Sequence, residues 1–184
     1  GQLQIPYLVT HLGSHSGSGK EKGLKRLVDA VSLAFSKTEN EVMLLLENTA
    51  GTKNSMGGSF EDISAILDAL DSDRLGVCLD TCHLFGAGYE LRTSEGIRST
   101  LKEFDGLIGH ERLKLVHLND SRGDLGSTLD RHEHIGLGKI GMDGFRSILL
   151  NKTFKRSPMI LETPIDSRRD DLENLRVTRE LASF

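Results

Sequence analysis

Five apolar stretches of this chain stop at a residue that can bind a metal. Tyr7-Leu8-Val9-Thr10 runs into His11, the stretch 42–46 into Glu47, and Gly76-Val77-Cys78-Leu79 into Asp80. Leu113-Lys114-Leu115-Val116 runs into His117, and Pro158-Met159-Ile160-Leu161 into Glu162. A strand-end Asp is commonly a helix cap, so one such ending carries little weight. Five in succession point to a common site. Carboxylates gathered at one spot repel each other and resist desolvation, and cations remove both difficulties. Imidazole with carboxylate favours zinc, manganese or iron over magnesium or calcium.

Three further donors lie in loops: His83, three residues after Asp80, and the pair in Asp130-Arg131-His132. On a regular strand positions 80 and 83 face opposite ways. If both serve one site, the strand stops near Thr81 and the chain curls over its own end. With His11, Glu47, Asp80, His83, His117, Asp130, His132 and Glu162 there are more ligands than one tetrahedral ion uses. At least two ions are expected, and a third if a carboxylate bridges. Ions about 4 Å apart suit in-line displacement at phosphorus. Other groups read differently. His15, in a Gly/Ser loop, is expected at the surface or on a phosphate, His110 at a helix end as a cap, and His134 in solvent. Asp120 and Asp124 read as turn formers. Lys20, Lys22, Lys25 and Arg26 read as a solvated helix face, and Gly86-Ala87-Gly88 lacks the context of a dinucleotide loop.

The elements that must position these residues alternate. Leu24, Leu27, Val28, Val31, Ala34 and Phe35 give a helical stripe over 20–36. Ser59 is placed to cap a helix carrying Ile63, Ile66, Leu67 and Leu70, and Ser94 one carrying Ile97, Leu101, Phe104 and Leu107. The strand ending at Asp80 is followed by a loop over 85–89, and a long loop spans roughly 121–141. Phe145, Ile148 and Leu149 mark a short helix, and the tail from Arg168 is helical. Continuous apolar runs separated by helices predict an α/β fold with parallel strands buried on both faces. A (β/α) barrel is the best match, with its strand ends converging on one rim. A complete barrel has eight strands and about 250 residues. This chain reads as an incomplete TIM barrel with about five of eight βα units, a single domain over 1–184 forming the C-terminal part of the barrel.

The chain has 184 residues, enough for one domain with a core, and 37% hydrophobic content without a run long enough to span a membrane. A formal charge of −4 argues against binding polyanions through bulk charge, though ions and a local basic rim can still hold phosphates. The two cysteines, Cys78 and Cys82, read as reduced buried thiols of an intracellular protein. The first residue is Gly1 and nothing there reads as a signal peptide, so a fragment or processed form is expected.

Taken together, His11-Leu12-Gly13-Ser14-His15, Glu47-Asn48-Thr49-Ala50-Gly51, Gly76-Val77-Cys78-Leu79-Asp80-Thr81-Cys82-His83, His117-Leu118-Asn119-Asp120, Asp130-Arg131-His132 and Leu161-Glu162-Thr163 resemble the endonuclease IV family of apurinic/apyrimidinic endonucleases, in order and spacing over nearly the whole chain. The resemblance implies a TIM barrel with three Zn2+ ions, Mn2+ being an alternative at one position. It implies hydrolysis of the phosphodiester 5′ to an abasic site, leaving a 3′-hydroxyl, and trimming of blocked 3′ ends in base-excision repair. By motif, His11 is implied for the first zinc and Glu47 for a bridge between the first and second. Asp80, His117 and Glu162 are implied for the second, and His83, Asp130 and His132 for the third. Glu162 and Glu47 are implied as catalytic, Glu162 orienting the attacking water. The implied partner is double-stranded DNA with abasic sites or blocked 3′ ends. A monomer is expected, in the cytoplasm of a prokaryote or the nucleus or mitochondrion of a eukaryote.

Two departures stand out. The family carries another zinc-binding His on a strand before that of His11, and early loops that bend DNA; neither is present in these residues, and His-Pro-Gly reads His11-Leu12-Gly13. The isolated chain is therefore expected to be poorly stable and weak or inactive on abasic DNA. Two other readings compete. A sugar isomerase or epimerase of the xylose isomerase-like group uses a similar Glu, Asp-x-x-His and final Glu around one metal, and does not need Asp130-x-His132. A non-catalytic fragment that binds metal or DNA is the other.

Overall fold

The computed structural model describes residues 3–183. Its backbone is a parallel sheet laid down in chain order. Strand β1 (Tyr7–His11) leads into helix α1 (Lys20–Ser36), β2 (Met43–Glu47) into α2 (Phe60–Leu70), and β3 (Leu75–Asp80) into α3 (Thr81–Ala87) and α4 (Ser94–Leu107). Then come β4 (Leu113–His117), the two-residue strands β5 (Asp120–Ser121) and β6 (His132–Glu133), α5 (Gly141–Leu150), β7 (Met159–Ile160) and α6 (Asp171–Leu181). The sheet has five strands in the order β1-β2-β3-β4-β7, all parallel. A right-handed crossover through a helix at each step is what a barrel wall is made of. Strands β5 and β6 form a separate antiparallel ribbon.

The period of two along each strand sorts the side chains. Leu46, Val77, Leu79 and Val116 face the helices and join the main core with Phe60, Phe85 and Phe104, all buried. Full burial of each such side chain contributes about 1.5–3 kcal/mol. The opposite face carries a smaller cluster of Leu45, Cys78 and Leu115, with Tyr7, Val9 and Met43 packed against it. Two residues further along each strand that same face presents His11, Glu47, Asp80 and His117. Register aligns them: His11 pairs with Glu47, and a bulge between Val77 and Cys78 brings Asp80 level with His117.

Several local expectations are corrected. Residues 81–87 are helical, not a loop from 85, because Asp80 caps that helix by accepting the His83 N–H at 2.9 Å. The cap of α4 is Thr93, one residue before Ser94. Strand β7 ends at Ile160 instead of reaching Glu162, since β4 stops at His117, the partner of Ile160. Helix α6 starts at Asp171, capped by Asp170.

The long segment 121–141 is also ordered, and Asp120 is the reason. It is fully buried, and more than a turn former: its carboxylate accepts backbone N–H groups from Ser121 (2.7 Å), Gly136 (3.0 Å), Gly138 (2.9 Å), Ile140 (2.9 Å) and Gly141 (3.3 Å). A β-carbon on Gly138 would lie 2.5 Å from Asp120 Oδ1, so only glycine lets the loop wrap this closely. Asp120→Ala strands these donors away from water and is expected to lower unfolding free energy by about 3 kcal/mol, read from urea melts. A change below about 1 kcal/mol would show that the loop holds without its anchor.

Candidate metal centre

All of the sequence-predicted ligands meet at the C-terminal ends of the strands. Glu47, 2% exposed, sits at the middle. Its Oε1 is 2.9 Å from His117 Nδ1 and 3.6 Å from His83 Nδ1, and its Oε2 is 3.1 Å from His11 Nε2. His117 Nδ1 is also 3.1 Å from Glu162 Oε2 and 4.0 Å from Asp80 Oδ2. Glu47, Asp80, His117 and Glu162 each offer a donor atom, all within 4.8 Å of one another. Asp80, His83 and His132 form a second group on the same criterion. Asp130 borders it, 3.2 Å from His83 Nε2 and 3.8 Å from His132 Nε2, while His11 touches the first group through Glu47 alone among the described residues.

Asp80 is both a helix cap and a member of the site, so the two readings of a strand-end Asp are here one. Its Oδ1 caps α3, which swings His83 over the strand end; its Oδ2 accepts from Asn119 Nδ2 at 2.7 Å. Sequence reasoning gave no role to the two asparagines that support it. Asn48 Oδ1 accepts the Asp80 N–H at 2.7 Å, and the Asn48 carbonyl takes His83 Nδ1 at 3.0 Å. Asn119 Oδ1 accepts the Glu162 N–H at 2.8 Å, fixing the chain just beyond β7. The signal was adjacency: Asn48 directly follows Glu47, and Asn119 follows His117 by two.

These bonds set the rings. His83 donates Nδ1–H to a carbonyl and turns Nε2 inward; His132 does the same through Nδ1 to the Glu162 carbonyl at 2.9 Å. That is the tautomer a metal-binding imidazole needs. His132 Nε2 is buried without a hydrogen-bond partner, 3.7 Å from Asp80 Oδ2. An orphaned lone pair facing carboxylates, in a cup of buried acids, fits a divalent cation of zinc type. Burial opposes charge on His83 and His117, but the surrounding carboxylates outweigh it. Asp80, Asp130 and Glu47 raise His83 above its ordinary value; Glu47, Glu162 and Asp80 raise His117.

Asp130, which borders the second group, depends on its loop, and that loop is seated on Gly86-Ala87-Gly88. Gly126 N donates to the Phe85 carbonyl at 3.0 Å and Thr128 N to that of Gly86 at 2.9 Å. A β-carbon on Gly86 would lie 3.0 Å from Ala50 Cβ and 3.3 Å from the Leu129 carbonyl, so a larger residue would press on the seat and its loop.

Other histidines and the cysteines fall outside the two groups. His134 is fully buried, not in solvent, because both ring nitrogens are bonded, to Asp166 at 3.0 Å and Asn174 at 2.9 Å. His110 engages Asp105 through its ring (2.6 Å) and its N–H instead of capping α4. His15 is half-buried, its carbonyl held by Arg26. Cys78 and Cys82 are buried and unpaired with each other. Burial, then Asp80, pushes the Cys82 thiol up to about 12, and burial with Glu47 raises Cys78 further above the usual thiol range. Neither is expected to react with a thiol reagent at pH of about 8 in the folded protein, and both should react in denaturant. Native-state labelling of either would contradict their burial.

Residues 1–183 match the family described as xylose isomerase-like TIM barrel. The probable endonuclease 4 of Methanoculleus marisnigri is 57% identical over 182 residues, covering 98% of this chain and 64% of that protein. The crystal structure of endonuclease IV from Thermus thermophilus superposes with a TM-score of 0.80 at 38% identity, covering 97% of this chain and 62% of that one. The chain thus spans under two thirds of the length of these relatives. A D-tagatose 3-epimerase-like protein superposes at 0.70 with 19% identity, a likeness of fold alone.

Proposed function

The chain belongs to the endonuclease IV family, within the xylose isomerase-like TIM barrels, and from that membership we propose that it carries the metal centre of a DNA-repair nuclease. The proposed reaction is hydrolysis of the phosphodiester 5′ to an abasic site, giving a 3′-hydroxyl, with trimming of blocked 3′ ends. Bound zinc ions supply Lewis acidity toward a phosphodiester and a water of lowered pKa at neutral pH.

The chain's own residues fall into roles. Glu47, Asp80, His117 and Glu162 hold one ion and His83, His132 and Asp130 another, with His11 extending the cup from Glu47. Glu162, the most exposed carboxylate of its group, faces the mouth and is placed to orient water and take its proton. Asn48 and Asn119 keep Asp80 and Glu162 in position. The observation that carries the reading is the second group of donors, with the unpartnered His132 Nε2, beside the first. A sugar isomerase site around one ion shares Asp80 and His83 but has no use for His132 and Asp130 beside them.

The test is metal content and cleavage on one sample. Elemental analysis is expected to give about two tightly held ions per chain. An abasic duplex is expected to be nicked slowly, on the 5′ side, leaving an end that a polymerase extends, with loss of nicking in Glu162→Gln and in chelator. One ion per chain together with ketose epimerisation would replace this reading with the sugar-enzyme one.

A further inference from the structure

Glu162 and His132 are two of the four proposed metal donors that lie off the five-stranded sheet, His83 on α3 and Asp130 in its loop being the others. Strand β7 ends at Ile160, so Glu162 lies beyond the ladder, and His132 sits on a two-residue ribbon. We propose that buried His134, with Asp166, Asn174, Glu133 and Arg168, is a clamp that positions His132 and Glu162 together; the inference rests on the metal-centre reading above.

The lacing is specific. Asn174 Oδ1 accepts the Ile135 N–H (3.2 Å), so its Nδ2 is the donor toward His134 Nδ1 (2.9 Å). That leaves the proton on His134 Nε2, which donates to Asp166 Oδ1 at 3.0 Å. Glu133 accepts the His134 N–H at 2.8 Å and Arg168 Nη1 at 2.9 Å, and Arg168 also holds Asp166, Nη2 to Oδ2, at 2.6 Å. Segment 132–135 is thereby tied to segment 162–168 at three points, the first being His132 Nδ1 on the Glu162 carbonyl at 2.9 Å. His132 belongs to one donor group and Glu162 to the other. A shift of either segment therefore moves a donor in both. The Arg168 guanidinium serves two carboxylates at once, a geometry a lysine ammonium does not reproduce.

These five are positioning residues, none touching the cup itself. The test is zinc affinity of the intact 184-residue chain, measured by competition with a chelator, and the visible spectrum of its cobalt-substituted form. His134→Leu keeps volume but neither hydrogen bond, and is expected to weaken zinc binding by about 10–100-fold and to change the cobalt spectrum. His134→Gln, which restores a donor toward Asp166, should recover most of that loss. Arg168→Lys should behave like Arg168→Met, and carries the test if His134→Leu does not fold, since Arg168 is partly exposed. Variants that melt lower but bind zinc as tightly as the parent chain would show a structural staple only, and overturn the clamp. A parent chain that binds no zinc would instead remove the metal-centre reading itself.

Discussion

Glu47→Gln is expected to lower zinc affinity at the four-residue group by about 100-fold or more and abasic-site nicking by about 1,000-fold, while leaving the metal-free fold at least as stable at about pH 8.5. Glu47 lies against three of the imidazoles, at 3.1 Å (His11), 2.9 Å (His117) and 3.6 Å (His83), each closer than the 3.7–4.0 Å at which Asp80 approaches its three. Removing its charge takes a ligand out of the four-residue group and a neighbouring charge away from His83 of the other. Yet the amide is isosteric and keeps the hydrogen bonds the metal-free fold uses: its oxygen can accept from His117 Nδ1, and its NH2 can donate to His11 Nε2. Glu47 is also buried beside Asp80, 0% exposed, so the metal-free protein holds two carboxylates that resist desolvation together. Neutralising one relieves that. Function and stability should therefore separate at about pH 8.5, above the ordinary imidazole range: zinc titration and nicking fall while the metal-free melting temperature holds or rises. A variant that nicks within tenfold of the parent would place the hub elsewhere.

The same separation explains what was legible in the sequence. Strand ends were readable because a strand buried on both faces must be a continuous apolar run, and a polar residue closing it is visible against that background. His11, Glu47, Asp80 and His117 all close observed strands. Helix α1 was equally legible from its stripe, over the same residues 20–36. Glu162 stood out as a candidate although its strand is shorter than its apolar run, since pairing length depends on where the neighbour β4 stops. Residues held by long-range bonds were not legible. His134 looked like a surface loop residue because its partners, Asp166 and Asn174, lie 32 and 40 positions away. Asp120 looked like a turn former because the N–H groups it gathers come from a loop whose path only the fold reveals. Asn48 and Asn119 have no pattern of their own; they matter through what they touch.

Stability against pH is expected to slope in opposite directions with and without zinc. His83 and His117 are raised above their ordinary value in the metal-free fold, His83 by Asp80, Asp130 and Glu47 and His117 by Glu47, Glu162 and Asp80, each overcoming burial. A group raised in the folded state binds its proton more tightly there than in the unfolded chain. Its stabilisation is fully present below the unfolded value of about 6.5 and is lost as pH rises through the folded value. Metal-free protein should therefore melt higher at about pH 6 than at about pH 8.5. The carboxylates held low, Glu90, Glu133, Asp166 and Glu173, contribute stability that is lost only as pH falls through the acid range, so they leave this window flat. Zinc requires the same imidazoles without their protons, so the loaded protein gains as pH rises. At free zinc about 1,000 times the dissociation constant, one site adds about 4 kcal/mol. For a chain of this size that is roughly 8–16 °C in melting temperature. The increment should be largest near pH of about 8.5 and shrink toward pH of about 6, the two melting curves converging from opposite sides. Glu47→Gln should flatten the metal-free slope, because Glu47 is a named partner of both rings. Parallel curves, or a metal-free protein that grows more stable as pH rises across this window, would mean that the imidazoles and carboxylates of the cup do not share protons as their spacing requires.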